Sequence, residues 1–195
     1  MRSIQIVTLC LFCSPFVAAQ DATLRGKVED VQGTQNQFYL DGTNLPLVST
    51  ALNLNTWVGQ HAVLQVTNVG TAAAPVLRVD SAVATVQQMD MGNLRLGQTS
   101  TWEVTAPNGS FALIAVDFTA NTGFAPLDPF GTYLLGPSPV QLAAGFTNAP
   151  GRYQVSLLTP NDQTLLNLEV TAQAIVGEPG GLFYFTNVDS KVVEQ

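Results

Sequence analysis

Short runs of alternating apolar and polar residues recur along the chain, and they predict strands. In residues 24–31, with the sequence LRGKVEDV, the even positions are apolar or small through Val28 and the odd positions carry charge through Glu29. A period of two is typical of a half-buried strand. Residues 51–59 instead predict one or two helical turns, capped by the hydroxyls of residues 49–50 and ended by Gly59. The strands predicted in this first half are residues 24–31, 37–42, 45–48, 61–67 and 75–83.

A second series of strands begins near Thr99. In residues 111–118 apolar side chains occupy both parities, which indicates a central strand covered on both faces. The Gly- and Pro-rich stretch from 121 to 139 predicts only one short strand. Regularly spaced strands with no 3.6-residue apolar stripe between them favour a β-sandwich. The strands predicted in this half are residues 99–104, 111–118, 132–135, 153–158, 168–176 and 182–188.

The segment QQMDMGN, residues 87–93, separates the two series and is predicted to be a linker, because it is mostly polar and contains Gly92. Its two methionines, Met89 and Met91, leave open that it packs on a neighbouring element. The predicted organisation is a barrel domain over residues 22–86, a linker over 87–93 and a sandwich domain over 94–195. Both are large enough to build a core, and we expect at least the second to fold alone.

The order of elements in the first half, three strands, a short helix and two strands, is that of a small five-stranded Greek-key barrel. The run Trp57-Val58-Gly59, leading into the fourth strand, resembles secreted barrels of the oligonucleotide/oligosaccharide-binding (OB) type. The resemblance covers about residues 22–86. Members of that family bind nucleic acids, sugars or proteins, so the resemblance implies a fold and not a ligand.

The second half resembles an uncharacterised β-sandwich module of secreted bacterial proteins over about residues 92–193. The matching motifs are turn residues, among them Ala106-Pro107-Asn108-Gly109-Ser110, Pro129-Phe130-Gly131-Thr132 and Phe185-Thr186-Asn187. The resemblance implies an immunoglobulin-like sandwich and brings no enzymatic role with it. The fold class predicted for the whole chain is therefore all-β, an OB-like barrel followed by a sandwich.

The N-terminus has the order of a secretory signal peptide: Arg2, an apolar run over residues 4–17, then small residues before Gln20. The apolar run is shorter than the roughly 20 residues that a membrane-spanning helix needs. We expect cleavage after Ala19, giving a secreted, periplasmic or cell-surface protein without a membrane span. A retained membrane anchor is the alternative.

Export removes both cysteines, since Cys10 and Cys13 lie inside residues 1–19. The mature chain would then have neither a disulfide framework nor a cysteine nucleophile, and an exported protein of this kind favours a bacterial origin. Loss of Arg2 moves the formal net charge from −7 to −8. So acidic a chain is a poor ligand for polyanions, and nucleic acid is not expected as a partner.

The sequence contains few of the residue patterns that common catalytic sites require. His61 is the only histidine, and no Gly-x-Ser-x-Gly motif presents a serine for a triad. One histidine without a mature cysteine does not furnish a usual zinc site. Carboxylates that could pair for glycoside hydrolysis are scattered, and we interpret them as turn caps or as residues of solvated strand faces. These carboxylates are Glu103, Asp117, Glu169 and Glu178.

Residues 41–44 and 160–162 contain oxygen ligands that suit calcium, but neither matches a complete calcium loop, and we interpret both as Asx turns. Three residues remain as candidates for ligand binding: Tyr39, Trp57 and His61. Their rings could line a sugar-stacking platform, although such aromatic residues more often pack in a core or its rim. We therefore expect no catalytic residues, no metal and no cofactor.

The leading hypothesis is an exported, non-enzymatic β protein that acts as a cell-surface or extracellular interaction module, with a surface protein or polysaccharide as partner. The first alternative is a carbohydrate-binding module that uses Tyr39 and Trp57. The second is a secreted hydrolase of unknown substrate.

Overall fold

A computed structural model describes residues 21–31, 37–119 and 123–195. The predicted signal peptide, residues 1–19, and residues 32–36, between the first two predicted strands, lie outside the described residues. None of the helices within the described ranges is long and apolar enough to cross a membrane. The predicted fold class is confirmed: the protein is all-β, with a closed five-stranded barrel followed by further sheets.

The barrel occupies the first half and closes in the order β1-β2-β3-β5-β4. A short 3₁₀ helix, Leu54–Thr56, lies between its third and fourth strands as expected. The N-cap of that helix is Asn53, whose side chain accepts a hydrogen bond from the Asn55 N–H, and not a hydroxyl of residues 49–50. The barrel strands are β1 Asp21–Asp30, β2 Phe38–Leu40, β3 Pro46–Val48, β4 His61–Asn68 and β5 Leu77–Ala84.

The alternation in β1 explains how the barrel fills its interior. Leu24 and Val28 are buried in the barrel core, while the charged positions between them point outward and are partly exposed. Gly26 also faces inward, where a Cβ atom would lie 2.5 Å from the Cδ1 atom of Leu40. A glycine at this position therefore makes room for a leucine from the neighbouring strand, and the predicted half-buried strand is confirmed.

The second half contains two facing sheets and a two-stranded hairpin. The larger sheet has the order β11-β8-β13-β14, the smaller has the order β12-β7-β6, and β9 pairs with β10. β8 is a central strand, as its sequence indicates, and its inward side chains, such as Ile114, lie in the core between the two sheets. The strands are β6 Met89–Met91, β7 Thr99–Thr105, β8 Phe111–Asp117, β9 Ala125–Pro126, β10 Thr132–Tyr133, β11 Val140–Phe146, β12 Arg152–Leu158, β13 Glu169–Gly177 and β14 Phe183–Val192.

The segment predicted to be a linker, residues 87–93, contains the strand β6. Met89 and Met91 are 0% and 1% exposed and belong to the sandwich core, and β6 pairs with β7. These alternating methionines point into the core, whereas Asp90 between them is exposed. The segment between the two halves is thus a strand of the sandwich, because alternate apolar residues can complete a sheet even in a run that is polar overall.

The two halves also share apolar contacts. β14 packs against β1, and Leu134 and Val188 of the second half, 0% and 4% exposed, form one apolar cluster with the buried residues of the barrel. On the same boundary the Arg25 guanidinium lies 4.4 Å from the ring centre of Tyr184. A cation over an aromatic face is attracted by the π electrons, so this contact adds to the apolar packing between the halves.

Candidate functional site

Four phenylalanines form a row across the outer face of the larger sandwich sheet. Phe146 on β11 lies opposite Phe111 on β8, and Gly177 on β13 lies opposite both Phe111 and Phe183. Directly opposed residues in a sheet point to the same face, so the register alone aligns these side chains. Phe130, from the loop between β9 and β10, extends the row beyond β14. We call Phe111, Phe130, Phe146 and Phe183 the aromatic row.

Ring contacts and one glycine hold the aromatic row in place. The rings of Phe111 and Phe146 meet edge to face with centres 5.6 Å apart, and those of Phe130 and Phe183 do so at 6.3 Å. A Cβ atom at Gly177 would lie only 2.6 Å from the Phe183 ring, so a glycine is needed beneath that ring. Aromatic side chains commonly cover a strand glycine in this way.

The aromatic row remains open to solvent. Phe146, Phe183 and Phe130 are 69%, 46% and 43% exposed, and the neighbouring Leu182 is 54% exposed. A contiguous apolar surface on a protein with so few charges marks a binding surface more often than a chance arrangement. The signal was absent from the sequence pattern, because the row arises from register across four strands and not from any local run.

The rest of the same sheet face is covered by the β9–β10 hairpin. The Gln173 side chain joins the two: its Nε2 donates to the carbonyls of Thr132 at 3.0 Å and Thr186 at 3.1 Å, and its Oε1 accepts from the Leu134 N–H at 2.9 Å. Tyr133 packs edge to face on Phe185 at 5.7 Å, and burial raises the pKa of Tyr133 to about 12. The sheet face thus binds an extended segment of its own chain next to the open aromatic row.

Two of the three ligand-binding candidates, His61 and Tyr39, lie beside one charged cluster on the barrel. Lys27 forms ion pairs with Glu29 at 2.6 Å and with Asp41 at 3.1 Å. His61 lies opposite Lys27 in the β1–β4 ladder, and Tyr39 lies opposite Glu29 in the β1–β2 ladder. The structure therefore places the two rings around shared ion pairs, as part of a polar surface.

The charged cluster and burial shift the protonation of the groups around it. Desolvation lowers the pKa of His61, and Lys27 lowers it further, against the opposing effects of Asp41, Asp189 and Glu29. The pKa of Tyr39 is raised by desolvation and by Glu29 and Asp41. Both rings are therefore neutral at physiological pH.

Trp57, the third candidate, occupies a different environment. It ends the short 3₁₀ helix, where its N–H donates to the Leu54 carbonyl at 2.9 Å, and its partly buried side chain packs against the barrel core. Core packing was the alternative interpretation of these aromatic residues, and Trp57 follows it.

Three of the four candidate carboxylates accept structural hydrogen bonds. Glu103, in the smaller sandwich sheet, accepts a hydrogen bond from Gln154 and pairs with Arg152, whereas Glu169 accepts from Ser190 in the larger sheet. Asp117 is buried and accepts from the N–H and hydroxyl of Thr119 at 2.7 and 2.6 Å. Within the described residues no group of three or more His, Cys, Asp or Glu side chains could hold a metal ion.

The two stretches considered for calcium form local turns. Asp41 accepts from the Gly42 N–H at 3.0 Å, and Asp162 accepts from the N–H and hydroxyl of Thr164 at 2.9 and 2.8 Å. Asp162 forms the Asx turn that the sequence indicated, because its partner lies two residues on, whereas the Asp41 contact reaches only the next residue. Residues 41–44 also line a shallow cleft of about 240 Å³, and a second cleft of about 290 Å³ lies between β1 and the β9–β10 hairpin. Both are smaller than most small-molecule sites.

Comparison with known proteins leaves the family open. No family model matches the chain, and no curated protein matches it at a significant level. Among solved structures, the chain is similar to a superoxide reductase (neelaredoxin) from Ignicoccus hospitalis, with 12% identity and a TM-score of 0.32. That likeness covers 55% of this chain and 79% of the other.

Proposed function

We propose that this protein is an exported, non-enzymatic interaction module of the bacterial cell surface or extracellular space, and that the aromatic row is its binding surface. The observation that carries the proposal is the line of exposed phenyl rings on a rigid sheet. Rigid aromatic side chains supply much contact area at little cost in conformational entropy, which suits a docking surface.

Ring geometry favours a protein partner over a flat sugar chain. The two ring pairs meet at interplanar angles of 66° and 89°, so the phenyl rings do not form a common plane. A polysaccharide platform stacks sugar faces on parallel ring faces, whereas an apolar protein surface fills the gaps between tilted rings. We propose that the row binds apolar side chains of another surface protein, and the acidic composition makes nucleic acid a poor alternative.

Carbohydrate binding is the second candidate, and it would use the barrel instead of the sandwich. Its support is that Tyr39 and His61 lie beside the ion pairs of Lys27, which could receive sugar hydroxyls. A glycan array distinguishes the two: binding that is lost in His61→Ala and kept in Phe183→Ser would favour the sugar hypothesis.

A cell-binding assay tests the proposal with matched variants. Phe183→Ser removes one ring of the aromatic row, and Phe118→Ser removes an equally exposed ring outside it, since the two are 46% and 50% exposed. We expect Phe183→Ser to weaken co-sedimentation with cells about tenfold and Phe118→Ser to leave it unchanged, at equal thermal stability. Equal binding by both variants would contradict the proposal, as would hydrolase turnover that depends on His61.

A further inference from the structure

We propose that β11 pairs with β11 of a second copy of this chain, antiparallel and centred on Ala144, so that two larger sandwich sheets become one continuous sheet. This goes beyond the proposed function, since self-association needs no other partner. The inference starts from the edges of the sheets. An edge strand presents unpaired N–H and C=O groups, which only an extended backbone can satisfy as a ladder.

Two of the four outer edges of the sandwich sheets are closed in the described part of the chain. The barrel has none, because its five strands form a closed ring. The outer edges of β6 and β14 are joined by side chains: Asn187 accepts from the Met89 N–H at 2.9 Å and Asp189 accepts from the Met91 N–H at 2.6 Å. Of the two sandwich sheets, the edges left open are those of β11 and β12.

These two edges differ in how they are protected. β12 begins with Arg152, which lies 3.4 Å from Glu103, and charged side chains discourage edge-to-edge pairing. β11 has the sequence VQLAAGF, with neither a charge nor a proline within the strand. Its register shift lies between Gln141 and Ala143, so residues 143–146 keep a regular ladder with β8. β11 is therefore the unprotected edge.

The side chains of β11 permit self-pairing about a two-fold axis. With Ala144 opposite its own copy, Ala143 lies opposite Gly145, and none of these small residues obstructs the approach of two backbones. Ala144 and Phe146 are exposed on the outer face of the sheet. A two-fold axis perpendicular to the sheet keeps that face on the same side in both copies, so the dimer presents two aromatic rows together and gains from bivalent binding.

Net charge sets how the association depends on salt. Each copy carries a formal net charge of −7, or −8 once residues 1–19 are removed, so two copies repel each other at low ionic strength. The proposed contact itself contains no ion pair. Screening at physiological ionic strength shortens the reach of the repulsion to about 8 Å, and the dimer becomes tighter as salt rises. An association driven by surface ion pairs would show the opposite trend.

Sedimentation equilibrium of the purified protein tests the inference. We expect a mass twice that of the protomer at micromolar concentration and a dissociation constant that falls with added salt. Ala144→Lys places two lysines opposite each other and should weaken the dimer about tenfold or more. Ser156→Lys, at an exposed position in the middle of β12, adds the same charge to the other edge and should leave the dimer intact.

Three outcomes would overturn the pairing: a monomer at all concentrations, a dimer that tolerates Ala144→Lys, or a dimer that Ser156→Lys disrupts, which would assign the contact to β12. The variant Phe183→Ser distinguishes a failure of this inference from a failure of the proposed function. It alters the aromatic row at the opposite edge of the sheet, so dimerisation should persist whether or not partner binding is lost.

Discussion

The side-chain amide of Asn187 forms two hydrogen bonds with the backbone of Met89: Oδ1 accepts from the Met89 N–H at 2.9 Å, and Nδ2 donates to the Met89 carbonyl at 2.9 Å. Oδ1 also accepts from the Gln88 N–H at 2.8 Å. A single buried side chain thereby substitutes for a neighbouring strand along the edge of β6. This contact fixes the segment that connects the two halves.

Replacing Asn187 by Ala should destabilise the protein by about 2–4 kcal/mol, because buried backbone groups of residues 88–89 lose their partner and each unsatisfied group costs about 1–3 kcal/mol. Urea unfolding measures the change. Asn148→Ala alters an exposed asparagine and should stay within about 0.5 kcal/mol of the wild type. An equally small effect at Asn187 would show that the connecting segment does not depend on this amide.

Gln173→Leu should loosen the β9–β10 hairpin from the sheet. The substitution keeps the approximate volume and removes the hydrogen bonds to Thr132 and Leu134. We expect a loss of about 2 kcal/mol and, more specifically, faster hydrogen exchange at the Leu134 amide, while amides in β7 remain protected. Unchanged exchange at Leu134 would contradict the role assigned to Gln173.

The pKa of His61 should rise when Lys27 is replaced by Met. The substitution removes a positive neighbour that lowers this pKa and frees Glu29 and Asp41, which raise it. The single histidine gives one set of imidazole resonances, so an NMR titration reads the shift directly. Arg25→Met removes a cation that takes no part in the ion pairs of Lys27, and it should leave the pKa of His61 unchanged. A fall in the pKa of His61 in Lys27→Met would contradict the electrostatics described.

The same shift determines how His61 affects stability. Its pKa is lower in the folded protein than in the unfolded chain, so the unfolded chain binds more protons in the interval between the two values. The contribution of His61 to stability is fully present above its pKa in the unfolded chain. It is lost as the pH falls from that pKa to the lower pKa of the folded protein. In Lys27→Met this acid-dependent loss should become smaller, because the folded and unfolded values approach each other.

Local alternation was enough to predict β1, and the double-sided apolar pattern of β8 correctly indicated a central strand. β11 escaped prediction because its Ala143-Ala144-Gly145 stretch has low strand propensity and no alternation. Only the ladder with β8 stabilises it as a strand. The aromatic row and the cluster around Lys27 also depend on cross-strand register, which includes a bulge between Gln173 and Ile175. Register of this kind is set by tertiary pairing and has no local sequence signal.

The last prediction concerns the boundary between the two halves, which the sequence places within residues 87–93. A fragment from Gln87 to Gln195 retains β6, and we expect it to unfold cooperatively in circular dichroism, although less stably than the full chain because Leu134 and Val188 lose their barrel contacts.

A fragment from Leu94 to Gln195 lacks the two buried methionines of β6 and leaves Asn187 and Asp189 without their partners. Loss of each buried methionine side chain costs about 2–5 kcal/mol, and the total is comparable to the whole stability of a domain, about 5–15 kcal/mol. We therefore expect no cooperative transition in this shorter fragment, which revises the expectation from the sequence that residues 94–195 fold alone. Equal midpoints for the two fragments would show that β6 is dispensable. A missing transition in the longer fragment would show that Leu134 and Val188 make the barrel and the sandwich one cooperative unit.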